Sequence, residues 1–303
     1  MVKAVERAHQ IGADVIQVFA DNPTAWRRRP EPPHELPVFR DRLVTLDIGP
    51  VAIHAPYLVN LAGPDETFFD RSVAVLAHDL RAAPGFRARF FNVHIGSHLG
   101  TGVEAGIARL ADGLRLALAE VDDGVDATMV VLENSAGGGF GLGTDVAELA
   151  AIAEAVAARG IQEARIGFCL DAAHAWGAGI DLADPEALDV FLADFDARIG
   201  LERLVMVHLN DSKAERGSRL DRHEHIGAGR IGAVGLALLL CHPALEHVAY
   251  YLETPGMDEG YDAVNMARAR DLVAGRPLNE LPPEAMTLRG SRSRTGPAPG
   301  PDE

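Results

Sequence analysis

The sequence predicts an α/β fold: a (β/α) barrel of TIM type that lacks the first N-terminal strand. Three observations carry this. Apolar, β-branched runs recur every 36–43 residues, each too continuous for a strand with one wet face and so expected to be buried on both faces of a parallel sheet. Ala- and Leu-rich stretches of helical period separate them, and regular β–α alternation means a parallel sheet with helices packed around it. The length, 303 residues with 48% hydrophobic content, suits one such barrel.

Residues 2–12 (VKAVERAHQIG) place Val2, Val5, Ala8 and Ile11 on one helical face, with Gly12 as C-cap. Residues 15–20 (VIQVFA) form the first strand. The loop DNPTAWRRRP, a Pro-rich connection and a weak helix over 37–47 follow. Strands are then expected at 51–57, 90–96, 128–134, 165–171, 204–211 and 247–254. Helices are expected over 70–82, 103–119, 144–158, 184–199, 233–241 and 259–274. These are seven strands where a closed barrel uses eight, and the chain opens on a helix that in a β–α repeat should follow a strand. The barrel domain is expected to cover 1–280 and a disordered tail 281–303; from Thr287 onward the sequence has no periodicity and is rich in Gly, Pro, Ser and Arg.

No apolar run approaches the length of a membrane span, and the first residues form an amphipathic segment, not a secretory signal. Cys169 and Cys241 sit in apolar surroundings without ligand-like spacing. Both are expected to be buried free thiols in the cytoplasm. The net charge of −16 argues against general polyanion binding but leaves room for a local site, where bound divalent ions would supply positive charge. Arginines cluster at Arg27–Arg29 and at Arg216, Arg219 and Arg222, either for phosphates or as a solvated face. GGGFGLG (137–143) follows a strand and precedes a helix, but its spacing fits neither nucleotide-binding loop pattern, so no nucleotide cofactor is expected.

The chemistry lies at the strand ends. His54, His94, Glu133, Asp171, His208 and Glu253 close the second to seventh strands; His174 follows Asp171 by three, and Asp221 and His223 lie in the loop after His208. A parallel barrel gathers its C-terminal strand ends at one mouth. One such histidine is ordinary, but nine metal-competent residues converging there, four of them acidic, would be costly to bury without cations. Imidazole and carboxylate together suit zinc and similar ions. Nine donors exceed one site and suggest two or three ions sharing a carboxylate, an arrangement suited to phosphodiester hydrolysis.

The blocks HAPYLVNLAGP (54–64), NVHIGSHLG (92–100), VLENSAGGG (131–139), CLDAAHAWGAGID (169–181), HLNDSKAERGSRLDRHEHIGAGRIG (208–232) and LETP (252–255) resemble endonuclease IV, the apurinic/apyrimidinic endonuclease family of the xylose-isomerase-like barrels. The resemblance runs from about residue 2 to 275. It implies three zinc ions, with Glu133 bridging two of them and acting in catalysis. His54 and His94 would complete the first site, Asp171, His208 and Glu253 the second, and His174, Asp221 and His223 the third. His98, His225 and Asp211 are left as supporting partners.

The implied reaction cuts double-stranded DNA on the 5′ side of an abasic site, leaving a 3′-hydroxyl and a 5′-deoxyribose phosphate, and removes 3′-blocking groups. Tyr57 and Leu58 match helix-wedging residues, and Asn22 and Trp26 match a DNA-contacting loop; Arg219 is a further candidate contact. A monomer is expected. The family opens with an IGAHVS-type strand before its first helix, which this sequence lacks: either the start codon is misassigned or the barrel is open. A single-metal sugar isomerase or epimerase of the same superfamily would use Glu133, Asp171, His208 and Glu253, but leaves His54, His94, His174, Asp221 and His223 without a role.

Overall fold

The structure, a computed structural model, describes residues 1–121, 124 and 127–288. Its elements follow the expected alternation. They begin α1 (Val2–Ile11), β1 (Ile16–Val18), α2 (Leu36–Thr45), β2 (Val51–His54), α3 (Glu66–Ala82), β3 (Ala88–His94), α4 (Val103–Leu118), β4 (Met129–Glu133) and α5 (Val146–Ala158). They continue β5 (Ile166–Asp171), α6 (Ala172–Ala178), α7 (Pro185–Arg198), β6 (Leu204–Leu209), a short pair β7 (Asp211–Ser212) and β8 (His223–Glu224), α8 (Gly232–Leu240), β9 (Ala249–Leu252) and α9 (Tyr261–Val273). Two pieces were not expected from periodicity: the seven-residue α6 and the β7–β8 hairpin, both too short to show a period.

Local sequence sets the helix ends. Gly12 closes α1 with φ 77°, a left-handed conformation glycine adopts without strain. α3 begins at Glu66, earlier than the periodicity suggests, because the Asp65 carboxylate accepts the Phe68 N–H at 2.8 Å. Asp145 caps α5 in the same way, and Glu148 reaches back to the N–H groups of Gly143 and Thr144.

Seven strands pair in parallel in the order β1-β2-β3-β4-β5-β6-β9. Among the described residues β1 and β9 are not paired with each other, so the barrel is nearly closed with one seam. Side chains bridge it. The Tyr251 hydroxyl donates to the Pro50 carbonyl at 3.0 Å, the Gln17 amide reaches Glu253 at 2.6 Å, and outside the sheet Arg7 of α1 grips Asp262 of α9 with two bonds of 2.8 and 2.7 Å.

Two apolar layers hold the fold. The larger lies between sheet and helices and includes the fully buried Phe39, Leu76, Phe86, Leu110, Leu114 and Phe195. The smaller lies inside the barrel and takes Ala52, Phe90, Val131, Cys169, Met206 and Tyr251 from β2 to β6 and β9. Strand residues two apart share a face. The positions two beyond Ala52, Val131, Cys169, Met206 and Tyr251 are His54, Glu133, Asp171, His208 and Glu253, so the inner layer is a floor and the polar residues stand on it at the mouth.

Two expectations are corrected here. Cys169 is buried, but Cys241 is exposed: it ends α8, whose buried stripe runs through Leu236 and Leu239, and position 241 turns off that stripe. Residues 281–288, assigned to the tail, include a short 3-10 turn, Pro283–Thr287, in which Ala285 is fully buried and its carbonyl accepts from His225 at 3.1 Å. The remainder of the expected tail, 289–303, lies outside the described residues. Among the described residues, no helix is long and apolar enough to cross a membrane.

Candidate metal centre

Sheet register brings the strand-end residues together. His94 is directly opposite Glu133, and Asp171 opposite His208. Three sets have donor atoms within 4.8 Å of one another: His54–His94–Glu133, Glu133–Asp171–His208 and Asp171–His174–His223. Glu133 belongs to two sets and Asp171 to two, so the sets form one continuous centre. Asp221 joins from the loop, with carboxylate oxygens 3.2 Å from His174 Nε2 and 3.1 Å from His223 Nε2. Glu253 stands at the margin, its Oε1 3.5 Å from His208 Nε2.

The histidines are oriented by what their outer nitrogens touch. Nδ1 of His54, His174 and His223 faces a main-chain carbonyl: Ala55 at 2.6 Å, Asn134 at 3.0 Å and Glu253 at 2.9 Å. A carbonyl only accepts, so each Nδ1 carries the hydrogen and each Nε2 is left as a donor to a metal. Those Nε2 atoms face carboxylates: His54 toward Glu133 at 3.8 Å, His174 toward Asp221, and His223 toward Asp171 at 3.6 Å. His208 is turned the other way. Its Nε2 lies 3.1 Å from Gln17 Oε1, while Nδ1 faces Glu133 Oε2 at 3.4 Å and Asp171 Oδ2 at 3.9 Å.

A divalent metal fits this donor set. Glu133 Oε1 and His208 Nδ1 are buried without a well-aligned hydrogen bond, although His174 Nδ1 lies 3.1 Å from the first and Glu133 Oε2 3.4 Å from the second, and a cation between such groups would relieve the cost of burying them. Electrostatics agree. Burial raises the Glu133 carboxyl, yet His94, His208 and His174 hold it well below its ordinary range. Burial lowers His174 and His223, but Asp171 and Asp221 hold His174 well above the ordinary value and His223 at about 9. Without metal, protons on these rings supply the positive charge the carboxylates require. His54 differs: burial, with His94 beside it, lowers it to about 4, leaving the ring neutral and open to a ligand at neutral pH.

The loop bearing Asp221 and His223 is held at both ends. Asp211 is fully buried, and its carboxylate accepts the N–H groups of Ser212, Gly229, Ile231 and Gly232. The middle of the loop docks on α6: Trp176 donates to the Ala214 carbonyl, and Gly217 and Arg219 donate to Trp176 and Gly177. The glycine loop makes room for this passage, since a Cβ at Gly138 would meet the Arg219 carbonyl oxygen at 2.7 Å. His98, His225 and Asp211 do not reach the centre. His98 accepts from Gly102 N–H, and His225 is buried against Asn265 and Ala285.

The expected DNA-contact residues divide. Tyr57 is 61% exposed and lies beside the mouth, its ring 5.4 Å from that of His54 and 6.2 Å from that of His94; it is not a core residue. Leu58, next to it, is half-buried. Asn22 is exposed, but its side chain closes its own turn on Thr24, and Trp26 packs on the core and edge-on to Phe68. Arg28 and Arg29 are tied to Asp79 and Asp21, and Arg216 to Asp181. Arg219 and Arg222 are exposed with no carboxylate partner among the described residues.

Four amides were missed. Asn92 donates to Glu133 Oε2 at 2.5 Å and Asn210 to Asp171 Oδ2 at 2.7 Å. The Asn134 side-chain oxygen accepts Asp171 N–H at 2.6 Å, and Gln17 contacts His208 and Glu253. Their signal is placement: Asn92 and Asn210 lie two residues from a strand-end candidate and so share its face.

Residues 5–275 match the family described as Xylose isomerase-like TIM barrel. A probable endonuclease 4 of Methanoculleus marisnigri is 40% identical over 271 residues, covering 89% of this chain and 94% of that protein. One of Chloroflexus aggregans is 37% identical over 272 residues, covering 89% and 93%. The crystal structure of endonuclease IV from Thermus thermophilus superposes with a TM-score of 0.76 at 35% identity, covering 90% of this chain and 94% of that one. A D-tagatose 3-epimerase-like protein, at 16% identity and TM-score 0.65 over 89% and 90%, shares the fold. With a family match over most of its length and relatives of this identity, the chain belongs to the endonuclease IV family of xylose isomerase-like TIM barrels.

Proposed function

We propose that the chain is a zinc-dependent endonuclease that hydrolyses duplex DNA on the 5′ side of abasic sites, removes 3′-blocking groups and leaves a 3′-hydroxyl and a 5′-deoxyribose phosphate. The observation that carries this is that Glu133, buried, is shared by two of the donor sets, with His94 Nε2 3.5 Å from its Oε2 and His174 Nδ1 3.1 Å from its Oε1. We assign His54, His94 and Glu133 to one zinc, Glu133, Asp171, His208 and Glu253 to a second, and His174, Asp221 and His223 to a third. Such ions supply Lewis-acid stabilisation of phosphoryl charge and a nucleophile at neutral pH.

The residues do the rest. Asn92 and Asn210 fix the carboxylates of Glu133 and Asp171, and Asn134 holds the main chain of Asp171. The floor of Ala52, Phe90, Val131, Cys169, Met206 and Tyr251 excludes water from below. Tyr57, exposed beside the mouth, is placed to stack on a base opened at the lesion, with Leu58 next to it and Arg219 available to a phosphate. Asn22 and Trp26 act through the shape of their loop. We take the chain to work as a cytoplasmic monomer.

The test is incision of a duplex carrying one tetrahydrofuran abasic analogue by zinc-loaded protein without added magnesium. Cleavage to a 3′-hydroxyl is expected, with about three zincs per chain. No cleavage by folded, zinc-loaded protein overturns the reading. One manganese or magnesium per chain would favour a sugar isomerase or epimerase instead.

A further inference from the structure

Gln17 is the one polar residue in the apolar run 15–20, and it sits on β1, at one lip of the seam. Its side chain meets two members of the centre at once. Nε2 is 2.6 Å from Glu253 Oε1, and Oε1 is 3.1 Å from His208 Nε2. An ionised carboxylate only accepts, so the amide nitrogen must face Glu253, which leaves the amide oxygen toward His208. That oxygen also only accepts, so the hydrogen of His208 must lie on Nε2. In the neutral ring that a metal would bind, the lone pair is then on Nδ1, the buried atom that faces Glu133 at 3.4 Å and Asp171 at 3.9 Å.

His54, His174 and His223 obtain the same service from main-chain carbonyls. His208, with its ring reversed, has a side chain in that place. A main-chain carbonyl is held by the fold, whereas an amide side chain is held only by its contacts, so its second bond, to Glu253, also locks the first.

We propose that Gln17 is a positioning residue for the metal centre: its amide fixes His208 in the tautomer that presents Nδ1 to a metal and holds Glu253 alongside. This rests on the reading that the centre binds zinc. Among the described residues Gln17 is the only side chain that reaches both His208 and Glu253 with hydrogen bonds, and it does so from the opposite lip of the seam.

The experiment compares zinc affinity, by competition with a chromophoric chelator, in the full chain and in Gln17→Met, Gln17→Asn and Tyr251→Phe. Met keeps the bulk and loses both bonds, while Asn keeps the chemistry but falls one methylene short. Both are expected to weaken at least one zinc about 10–100-fold, as for loss of an outer partner of a ligand, with metal-free unfolding midpoints within a few degrees of wild type. Tyr251→Phe removes the other bond across the seam, whose hydroxyl touches no donor of the centre; it is expected to lower stability and leave zinc affinity unchanged.

Affinity within about two-fold of wild type in both Gln17 variants overturns the proposal, and so does an equal loss in Tyr251→Phe, which would make general loosening of the seam the cause. If Gln17→Met does not fold without metal, Gln17→Asn decides. A wild type that binds zinc but does not incise abasic DNA overturns the proposed reaction alone and leaves this comparison readable.

Discussion

His54, His94, Glu133, Asp171 and His208 are carried on strand ends, where main-chain pairing fixes their neighbours: His94 against Glu133, Asp171 against His208. Asp221 and His223 come to the same centre from a loop. That loop has two short strands, is pinned at its base by Asp211 and rests on α6. The strand-borne carboxylates Glu133 and Asp171 have 1% and 0% of their side chains exposed, whereas Asp221 has 57%. One side of the centre is thus a by-product of the sheet, and the other is assembled separately and stands nearer to water. A fold-sharing relative could keep the first side and lose the second.

Substitutions can separate the two sides. Glu133→Ala, on the strand side, removes the carboxylate common to two sets. It should cost more than one zinc per chain and lower incision by about 10³-fold or more, as the loss of several kcal/mol of charge stabilisation implies. Metal analysis and single-turnover incision check this, and near-normal activity would break the bridging role. Asp211→Ala, at the base of the loop, leaves buried N–H groups without an acceptor and should destabilise the fold by at least about 2 kcal/mol. Zinc loss should be confined to the ion at His174, Asp221 and His223; equal loss from all positions would show that the two sides are not independent.

A pH series sharpens the contrast in charge. His174 and His208 are held well above their ordinary range and His223 at about 9. A raised histidine stabilises the folded state fully below its unfolded value and ceases to do so as pH rises through its folded value. Glu133 and Asp221 are depressed, so their contribution is present above the ordinary carboxyl range and lost on acidification. Metal-free protein should therefore unfold more easily at about pH 9.5 than at about pH 6.5 in urea, while zinc-loaded protein, whose rings carry metal in place of protons, should not. Equal metal-free midpoints would contradict the proton-for-metal picture. The smallest effect belongs to Tyr57→Ala, which should weaken abasic-duplex binding by about 1–2 kcal/mol, roughly ten-fold, with zinc content unchanged.

The strand side was legible in the sequence because two periodicities coincide there. Continuous apolar runs mark β2 to β6 and β9, and each has a histidine or acid within one residue of its end, so topology alone assembles them. The seam was legible too, as a strand count of seven. On the loop side His174, Asp221 and His223 were legible as metal-competent residues, but their grouping into a separate set came only from the resemblance to a family, since β7, β8 and α6 are too short for a period and the docking of Gly217 and Arg219 on α6 is a long-range contact. Gln17, Asn92, Asn134 and Asn210 were missed because an amide carries no charge or reactivity to draw notice; each gains meaning only once register places it against a carboxylate or ring. Cys241 failed for a related reason: apolar neighbours in sequence do not say on which side of a helix a residue falls.

The spacing of the centre along the chain has a consequence for unfolding. The first and last strand-end donors, His54 and Glu253, are about 200 residues apart, and ions linking them through Glu133 would join distant points of the chain as a covalent cross-link does. In the chain-entropy picture a tie across a loop of that length removes about 5 kcal/mol of freedom from the unfolded chain. It would act across the lips that the sheet leaves unpaired, since among the described residues β1 and β9 are not bonded to each other. Occupancy would then rivet strand ends from the inside through ligand geometry, independently of the main-chain bonds that pair the strands.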